Sequence, residues 1–256
     1  MEWFLANLPY VLELTWLHWF QSALPLVLGL AASLPLGYLA WRIHAIRGLI
    51  LSLSSVLYTI PSLALFVILP VILGTGILEM SNLIVALTVY TVALLVRSVV
   101  DALESVDDGV RQAAAAMGYR PVRRFFQVDL PLCIPVLVAG LRVASVSNIS
   151  VASVGALIGV PNLGFLFTDG LLRNFMTEIV VGILMTLVLA ALMDLLLVVL
   201  ERVLTPWLRR RRGTDGSNTL ARGGPGTESE AGGGAAVQNR IGPEQRPDAA
   251  RAAVRG

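Results

Sequence analysis

Long apolar runs alternate with short polar segments along most of the chain. Five such runs are interrupted mainly by Gly, Pro, Ser and Thr; they cover residues 20–41, 49–73, 81–100, 132–158 and 179–204. An apolar helix of about 20 residues crosses the hydrocarbon core of a bilayer, which is about 30 Å thick. Only helices and closed barrels satisfy their backbone polar groups at that depth. The pattern therefore predicts an all-α integral membrane protein with five spans.

The composition agrees with a chain that faces lipid. Its hydrophobic share is 56%, only 14% of its residues are charged, and the mean hydropathy is +0.76. Soluble domains carry about 25% charged residues and about 45–50% apolar ones. A water-soluble fold is therefore excluded for the main body of the chain.

The arginines indicate how the spans are oriented. All 19 basic residues are Arg, and most of them lie in three regions, after spans one, three and five. Those regions contain Arg42, Arg47, Arg111, Arg120, Arg123, Arg124, Arg202 and Arg209–Arg212. The opposite loops, 74–80 and 159–178, hold Arg173 alone. Because short inner loops are enriched in basic residues, we predict a multi-pass protein of the cell membrane with its amino terminus outside and its carboxyl terminus inside.

The two ends of the chain differ from the transmembrane domain, residues 20–208. Trp3, Trp16 and Trp19 favour the headgroup region, so residues 1–19 are predicted to form an outer interfacial segment. A sixth short span is the alternative. Residues 209–256 start with four arginines and are then rich in Gly and poor in large apolar side chains. They predict a basic and then disordered cytoplasmic tail.

The sequence offers no set of residues for catalysis or metal binding. Cys133 is the one cysteine, and His18 and His44 lie far apart in the sequence. The chain has no Lys, so it has no phosphate-binding loop of the form G-x-x-x-x-G-K-[ST]. A net charge of +2 is too small to indicate nucleic-acid binding. We expect no metal, no cofactor held by this chain, and no ATP hydrolysis by this chain alone.

The longest interruption between spans, residues 101–131, predicts two short helices at the inner membrane surface. The stretch QAAAAM at 112–117 favours helix, and Gly118 follows it in the position of a C-cap. A second helical stretch runs from Pro121 to Val128. Loops of this length are usually functional or disordered, and the helical composition argues against disorder.

This loop resembles the "EAA" signature of ATP-binding-cassette (ABC) importer permeases, which reads EAA, three residues, G, nine residues, I, one residue, LP. The chain keeps that spacing with Gln112, Ala113, Ala114, Gly118, Val128, Leu130 and Pro131. The resemblance implies the five-span type I importer permease fold, with coupling helices that dock on a separate cytoplasmic ATPase. Gln112 stands where the family has Glu, so the charge at this position is lost. The small side chains of Ala113 and Ala114 permit close approach of a partner helix.

Other stretches resemble the subgroup of ABC permeases that import glycine betaine, carnitine or choline. Residues 58–65 (YTIPSLAL) and 160–171 (VPNLGFLFTDGL) carry this likeness. In the second stretch Pro161 and Asn162 replace a glycine pair of the subgroup. The resemblance implies three partners besides the lipid bilayer. They are a cytoplasmic ABC ATPase dimer that uses the ATP, a second permease that is identical or homologous, and an extracytoplasmic solute-binding protein.

Prolines at membrane depth predict where solute passes. Pro25 and Pro35 in the first run and Pro61 and Pro70 in the second interrupt helical hydrogen bonding, and broken helices are tolerated in membranes where they line a cavity. We therefore predict that Tyr58, Thr59, Pro61 and Ser62 line a translocation pathway. Ordinary kinks packed by neighbouring helices are the alternative.

Two charges lie deep inside the predicted spans. Arg142 and Asp194 are both about 15 Å from the inner ends of spans four and five, at about 1.5 Å per helical residue. Because such charges are costly unless they are paired or functional, we predict an ion pair that holds the two helices in register. The alternative is that each charge faces a wet cavity or another subunit.

The sequence supports three hypotheses for the function. The first is a permease subunit of an ATP-driven osmoprotectant importer that works by alternating access. The second keeps the transporter class and changes the solute to methionine or another amino acid. The third, which ranks below both, is a membrane anchor or sensor without transport activity.

Overall fold

The computed structural model describes residues 2–207, and this part of the chain is almost entirely helical. The α-helices in it are α1 (Glu2–Ala6), α2 (Leu8–Arg42), α3 (His44–Thr59), α4 (Ser62–Leu73), α5 (Met80–Glu104), α6 (Asp108–Ala116), α7 (Pro121–Arg124), α8 (Leu130–Val154), α9 (Gly164–Leu172) and α10 (Met176–Leu204). A π-turn (Phe125–Asp129) precedes α8 and a 3₁₀ turn (Gly155–Ile158) follows it. Residues 2–207 contain no β-strand, so the all-α prediction is confirmed. The predicted tail, 209–256, lies outside the described residues.

Four helical segments are long and apolar enough to cross a membrane, and a bent pair of helices supplies a fifth span. The four are α2, α5, α10 and the continuous helical path Pro121–Ile158 that contains α8. The fifth consists of α3 and α4, which are bent by 101° where they meet. The predicted five spans are therefore present when the pair counts as one, and the second is broken rather than straight.

The first span is longer than the sequence pattern suggests. Helix α2 runs unbroken for 35 residues, so the structure has no break at the predicted boundary between segments 1–19 and 20–41. Val11 and Leu14 are buried against apolar side chains of α9 and α10, which stabilises the additional turns. The predicted interruptions at Pro25 and Pro35 are wrong, because α2 continues through both, and α4 likewise continues through Pro70. Of these four prolines only Pro61 lies at a break between helices.

Helix α5 lies at the centre of the bundle. It contacts α2, α3, α4 and α8, and 56% of its most apolar stretch is buried, against 17% for α10. Helix α10 is therefore peripheral. The spans formed by α2, by α3 with α4, and by α8 are therefore arranged around α5.

Small residues on α2 allow it to approach α5 closely. Gly29, Ser33 and Gly37 recur at four-residue intervals, which places them on one face of the helix. A β-carbon on Gly29 would lie only 2.4 Å from Cγ2 of Thr91, and one on Gly37 only 2.5 Å from Cγ1 of Val99. Lipid provides no hydrophobic force between helices, so association depends on close packing of small residues of this kind.

Replacing Gly37 with Val tests this contact. The new side chain would overlap Val99 and force α2 away from α5; overpacking of this kind costs about 1–3 kcal/mol. The thermal unfolding midpoint of the purified protein in detergent should fall by several degrees. Gly48→Val is the matched control, because no atom lies within 4 Å of the position its β-carbon would take. Equal midpoints for the two variants would contradict this account of the packing.

Candidate functional site

Helix α6 in the 101–131 loop has well-defined ends. The carboxylate of Asp107 accepts a hydrogen bond from the backbone N–H of Gly109 at 2.6 Å and caps the start. At the other end Gly118 has a φ of +83°, a left-handed conformation that favours glycine. The N–H of Tyr119 donates to the carbonyl of Ala114 at 3.2 Å, which completes a Schellman ending. The helix therefore ends just before Gly118, as the sequence predicted. It begins at Asp108, four residues before the predicted segment 112–117.

The residues of the EAA-like motif are divided between surface and interior. Gln112 and Ala113 are exposed on α6, whereas Ala114 is only 2% exposed. The second half of the motif, namely Val128, Leu130 and Pro131, is partly buried. Gln112 and Ala113 are therefore available to a partner, whereas Ala114 and the second half of the motif pack within the protein.

The helix that carries the fourth span begins ahead of the predicted span. The helical path starts at Pro121 and continues through the π-turn into α8, so Pro131 does not mark its beginning. Within the π-turn, the N–H of Leu130 donates to the carbonyl of Phe125, five residues earlier. The predicted second short helix, Pro121 to Val128, is therefore continuous with the helix that carries span four.

Several apolar side chains of the loop point to its surface. Met117, Val122 and Phe126 are each more than 60% exposed, and Val110 is also exposed. Large exposed apolar side chains near one another mark surfaces that bind a partner. The loop thus presents apolar contact area on both of its helices.

An ionic cluster joins the loop to the spans. Nε of Arg111 donates to Oδ1 of Asp129 at 3.2 Å, and Nε of Arg124 donates to Oδ2 of the same carboxylate at 3.3 Å. Asp129 is 1% exposed. The Arg111 guanidinium also donates to the carbonyl of Leu103 and lies 4.8 Å from the ring centroid of Trp41. The cluster therefore connects α6 to the ends of α2 and α5 and to the start of the α8 segment.

The predicted pathway residues lie at the break between α3 and α4. Ile60 and Pro61 both have extended backbone, with ψ near 130°. The carbonyl of Ile60, freed by the break, accepts a hydrogen bond from the hydroxyl of Tyr90 on α5 at 2.6 Å. Thr59 and Pro61 are exposed and Ser62 is partly exposed. The second span is therefore an interrupted helix anchored by α5, not a mild kink.

Tyr58 connects this break to α8. Its hydroxyl lies 3.3 Å from Oγ of Ser147, and its ring meets Tyr90 edge to face with centroids 5.9 Å apart. Nearly half of the Tyr58 surface remains accessible. Tyr58, Tyr90 and Ser147 thus form a polar and aromatic group between three spans.

The structure brings Arg142 and Asp194 together. Nε and Nη2 of Arg142 donate to the two carboxylate oxygens of Asp194 at 2.5 and 2.8 Å, a bidentate pair between α8 and α10. The two side chains are 42% and 36% exposed, so neither is fully covered by this chain. The pair therefore reaches a surface of the bundle.

Asn162 organises the segment between α8 and α9. Its Oδ1 accepts from the N–H of Gly164 at 2.7 Å, and its Nδ2 donates to the carbonyl of Ala152 at 2.9 Å. Its Nδ2 also lies 3.2 Å from Oε1 of Gln21 on α2. Asn162 is fully buried. The residue that departs from the subgroup pattern thus supplies side-chain hydrogen bonds that a glycine pair cannot make.

Sequence reasoning did not single out Asp129, Tyr90 or Ser147. Asp129 had a usable signal, because it is an acid between two motif positions in a loop rich in Arg. Tyr90 and Ser147 had none, since their partners are 30 and 89 residues away in the chain. Within residues 2–207 no group of three or more His, Cys, Asp or Glu side chains is placed to hold a metal ion.

Comparison with known proteins gives a consistent assignment. Residues 26–210 match the family described as binding-protein-dependent transport system inner membrane component. The osmoprotectant import permease protein OsmW of Salmonella typhimurium is 34% identical over 80% of this chain and 97% of its own. The glycine betaine/carnitine/choline transport system permease protein OpuCD of Bacillus subtilis is 28% identical over 80% and 88%. The ergothioneine transport permease/ergothioneine binding protein EgtU of Helicobacter pylori is 36% identical over 62% of this chain and 28% of its own.

Solved structures share the fold. An inward-facing conformation of the MetNI methionine ABC transporter matches with a TM-score of 0.71 and 22% identity, over 78% of this chain and 98% of the matched chain. An amino acid ABC transporter crystallised with histidines matches with a TM-score of 0.62 and 16% identity, over 77% and 95%. At these identities the likeness shows the fold alone. The predicted importer-permease fold is confirmed by it.

Single and double substitutions test the Arg142–Asp194 pair. Arg142→Met alone leaves an unpaired carboxylate inside α10, and breaking a buried ion pair from one side costs about 3–5 kcal/mol; partial exposure places the expected loss below that range. The yield of folded protein extracted from membranes should fall strongly. Arg142→Met combined with Asp194→Leu removes both charges and should restore most of the yield. A double variant that is no better than the single one would contradict the pairing.

Proposed function

The chain belongs to the family of binding-protein-dependent transport system inner membrane components, and from this membership we propose that it is the permease subunit of an ATP-driven importer for a quaternary ammonium osmoprotectant such as glycine betaine, carnitine or choline. One observation carries the choice of solute. The permeases named for osmoprotectants and for glycine betaine, carnitine and choline are 28–34% identical along 88–97% of their own lengths.

The coupling loop is the proposed contact with a cytoplasmic ABC ATPase dimer. Gln112 and Ala113 are exposed on α6, and Met117 adds apolar area beside them. The Schellman hydrogen bonds at Gly118 give α6 a defined C-terminal end at this contact surface. ATP is bound and used by that partner, and this chain supplies the surface that receives the movement. The loss of charge at Gln112 means that contact there depends on hydrogen bonds and packing.

The ends of the spans support the proposed orientation. Arg47 pairs with Glu104, and Trp41 lies against Arg111, so the ends of α2, α3 and α5 meet at the coupling loop. Trp3 lies against Phe175 in the segment before α10. Because arginine-rich loops face inward, we place the coupling loop in the cytoplasm and the amino terminus outside, in a multi-pass membrane protein.

A second permease, identical or homologous, completes the proposed pathway. Tyr58, Thr59, Pro61 and Ser62 are exposed or partly exposed at the break in the second span, where a lipid-facing surface would carry apolar side chains only. The partly exposed pair of Arg142 and Asp194 likewise requires a polar neighbour at membrane depth. Two units around one pathway would cover these polar groups. The spans then alternate between inward-open and outward-open states as the ATPase dimer closes and opens.

The pathway residues suit a zwitterionic quaternary ammonium solute such as glycine betaine or carnitine, which has no net charge. Hydroxyl groups and aromatic rings of Tyr58 and Tyr90 dominate the break, and no charged side chain stands among its contacts. A quaternary ammonium is bound tightly by an aromatic cage through cation–π attraction. We assign that high-affinity site to a separate extracytoplasmic solute-binding protein, which delivers the solute to this chain.

A methionine or other amino acid permease is the second candidate. The solved amino acid importers share the fold at 16–22% identity, which gives no information on the solute. The relatives named for osmoprotectants are more similar in sequence, so the first candidate is favoured. A membrane anchor without transport ranks third, because it would not need the interrupted span.

Uptake by the complete transporter tests the proposal. The complex that copurifies with this chain, reconstituted in vesicles with its binding protein, should accumulate labelled glycine betaine when ATP is supplied. Unlabelled carnitine, choline or ergothioneine should compete, and a hundredfold excess of methionine should not. Competition by methionine alone would favour the second candidate, and a complex with no ATPase subunit would favour the third.

A substitution in the coupling loop, residues 101–131, tests whether uptake depends on that loop. Gly118→Val places a β-branched side chain at a positive φ and should reduce ATP-driven uptake at least tenfold. Gly48→Val is the matched comparison, because no atom lies within 4 Å of the position its β-carbon would take. Full uptake by the Gly118→Val protein would contradict a role for the loop.

A further inference from the structure

We propose that Arg111 is a positioning residue that transmits movement of α6 to the membrane spans through the buried carboxylate of Asp129. The inference deepens the proposed function and rests on it, because a separate ATPase must move α6. It assigns to a single guanidinium group the mechanical connection between the coupling helix and the helices that open the pathway.

Helix α6 has little other attachment to the rest of the protein. Ala114 is its only buried residue. Among residues 2–207, Arg111 is the α6 side chain that makes hydrogen bonds to other elements. A force applied to the exposed surface of α6 therefore passes mainly through Arg111 and through the backbone at each end of the helix.

The guanidinium of Arg111 has a partner for each nitrogen. Nε donates to Asp129, Nη1 donates to Asp108 at 2.7 Å, and Nη2 donates to the carbonyl of Leu103. Its flat face covers the ring of Trp41 at 4.8 Å. The rigid fork of Arg suits such simultaneous contacts, whereas Lys provides only a point charge. One side chain thus contacts the inner ends of α2 and α5 and the segment leading into α8.

Asp129 makes the link stiff. The carboxylate is buried and is held from two sides by Arg111 and Arg124. Separating either arginine would remove one of the two cationic partners of a buried carboxylate, which is unfavourable. Asp129 is also the last residue of the π-turn, and π-segments inside helices occur frequently at functional sites. Arg111 and Asp129 therefore stay paired and move together when α6 is displaced.

A second ion pair at the same end of the bundle provides the comparison. Arg47 and Glu104 join α3 to α5, and their side chains are 30% and 43% exposed. This pair makes no contact with α6 through its hydrogen bonds. It contributes to the packing of the inner ends but lies outside the proposed line of transmission.

The test measures how much ATP is hydrolysed per molecule of solute taken up. The intact complex, with its ATPase and binding protein, is prepared with Arg111→Gln, with Asp129→Asn or with the control Arg47→Gln in this chain. Each complex is then reconstituted in vesicles. Asp129→Asn keeps the size of the side chain and removes the charge. Each complex is also assayed for retained ATPase subunit and for its thermal unfolding midpoint.

Arg111→Gln and Asp129→Asn should keep the ATPase subunit and most ATP hydrolysis but lose at least tenfold in uptake, so that the ratio of ATP to solute rises tenfold. Arg111→Lys should give an intermediate ratio, and Arg47→Gln should match the unchanged protein. The proposal is overturned if hydrolysis and uptake fall together, if the ATPase subunit is lost, or if Arg47→Gln raises the ratio equally.

Failure of this inference is distinguishable from failure of the proposed function. If the unchanged protein shows ATP-driven uptake but Arg111→Gln and Asp129→Asn do not raise the ratio of ATP to solute, Arg111 has a structural role alone. If the unchanged complex has no ATPase subunit or no uptake, the proposed function itself is wrong.

Discussion

The fit of α2 against α5 is the contact on which the rest of the bundle depends. In lipid no hydrophobic force brings helices together, so close packing of small residues must do so. Gly29 and Gly37 leave no room for a β-carbon beside Thr91 and Val99. This contact fixes α5 in the centre, and α3, α4 and α8 pack on α5, whereas α10 packs mainly on α8 and α9.

Because α5 is central, it connects the regions to which function is assigned. Near its middle, the Tyr90 hydroxyl holds the freed carbonyl at the break in the second span, and Thr91 is hydrogen-bonded to Asn148 of α8. At its inner end, the carbonyl of Leu103 accepts from Arg111 of the coupling helix. In the proposed transmission, a displacement of α6 reaches the broken span through Arg111, by way of Asp129 and of the Leu103 end of α5. This arrangement is the physical basis for linking a cytoplasmic ATPase to a pathway through the membrane.

Features that depend on a local pattern of residues were predicted from the sequence. Features that depend on contacts between residues far apart in the chain were not. Apolar run lengths gave the spans, and Gly118 gave the end of α6, since both are set by neighbouring residues. The depth arithmetic placed Arg142 and Asp194 at one level because helical rise is constant. Pro61 predicted a break in the second span but not its angle of 101°, and the helical extension ahead of span four was not predicted. Both features involve contacts that no local pattern indicates, namely the hydrogen bond from Tyr90 and the π-turn before Leu130.

Accessibility of Thr59 to a thiol reagent is the most direct test of the central claim, that movement at the coupling loop opens a pathway at the broken span. Cys133 is the only native cysteine and is buried, so the background from a membrane-impermeant maleimide is low. In the complete complex, Thr59→Cys should be labelled from outside when a non-hydrolysable ATP analogue is bound and protected without it. Equal labelling in both states would contradict the account.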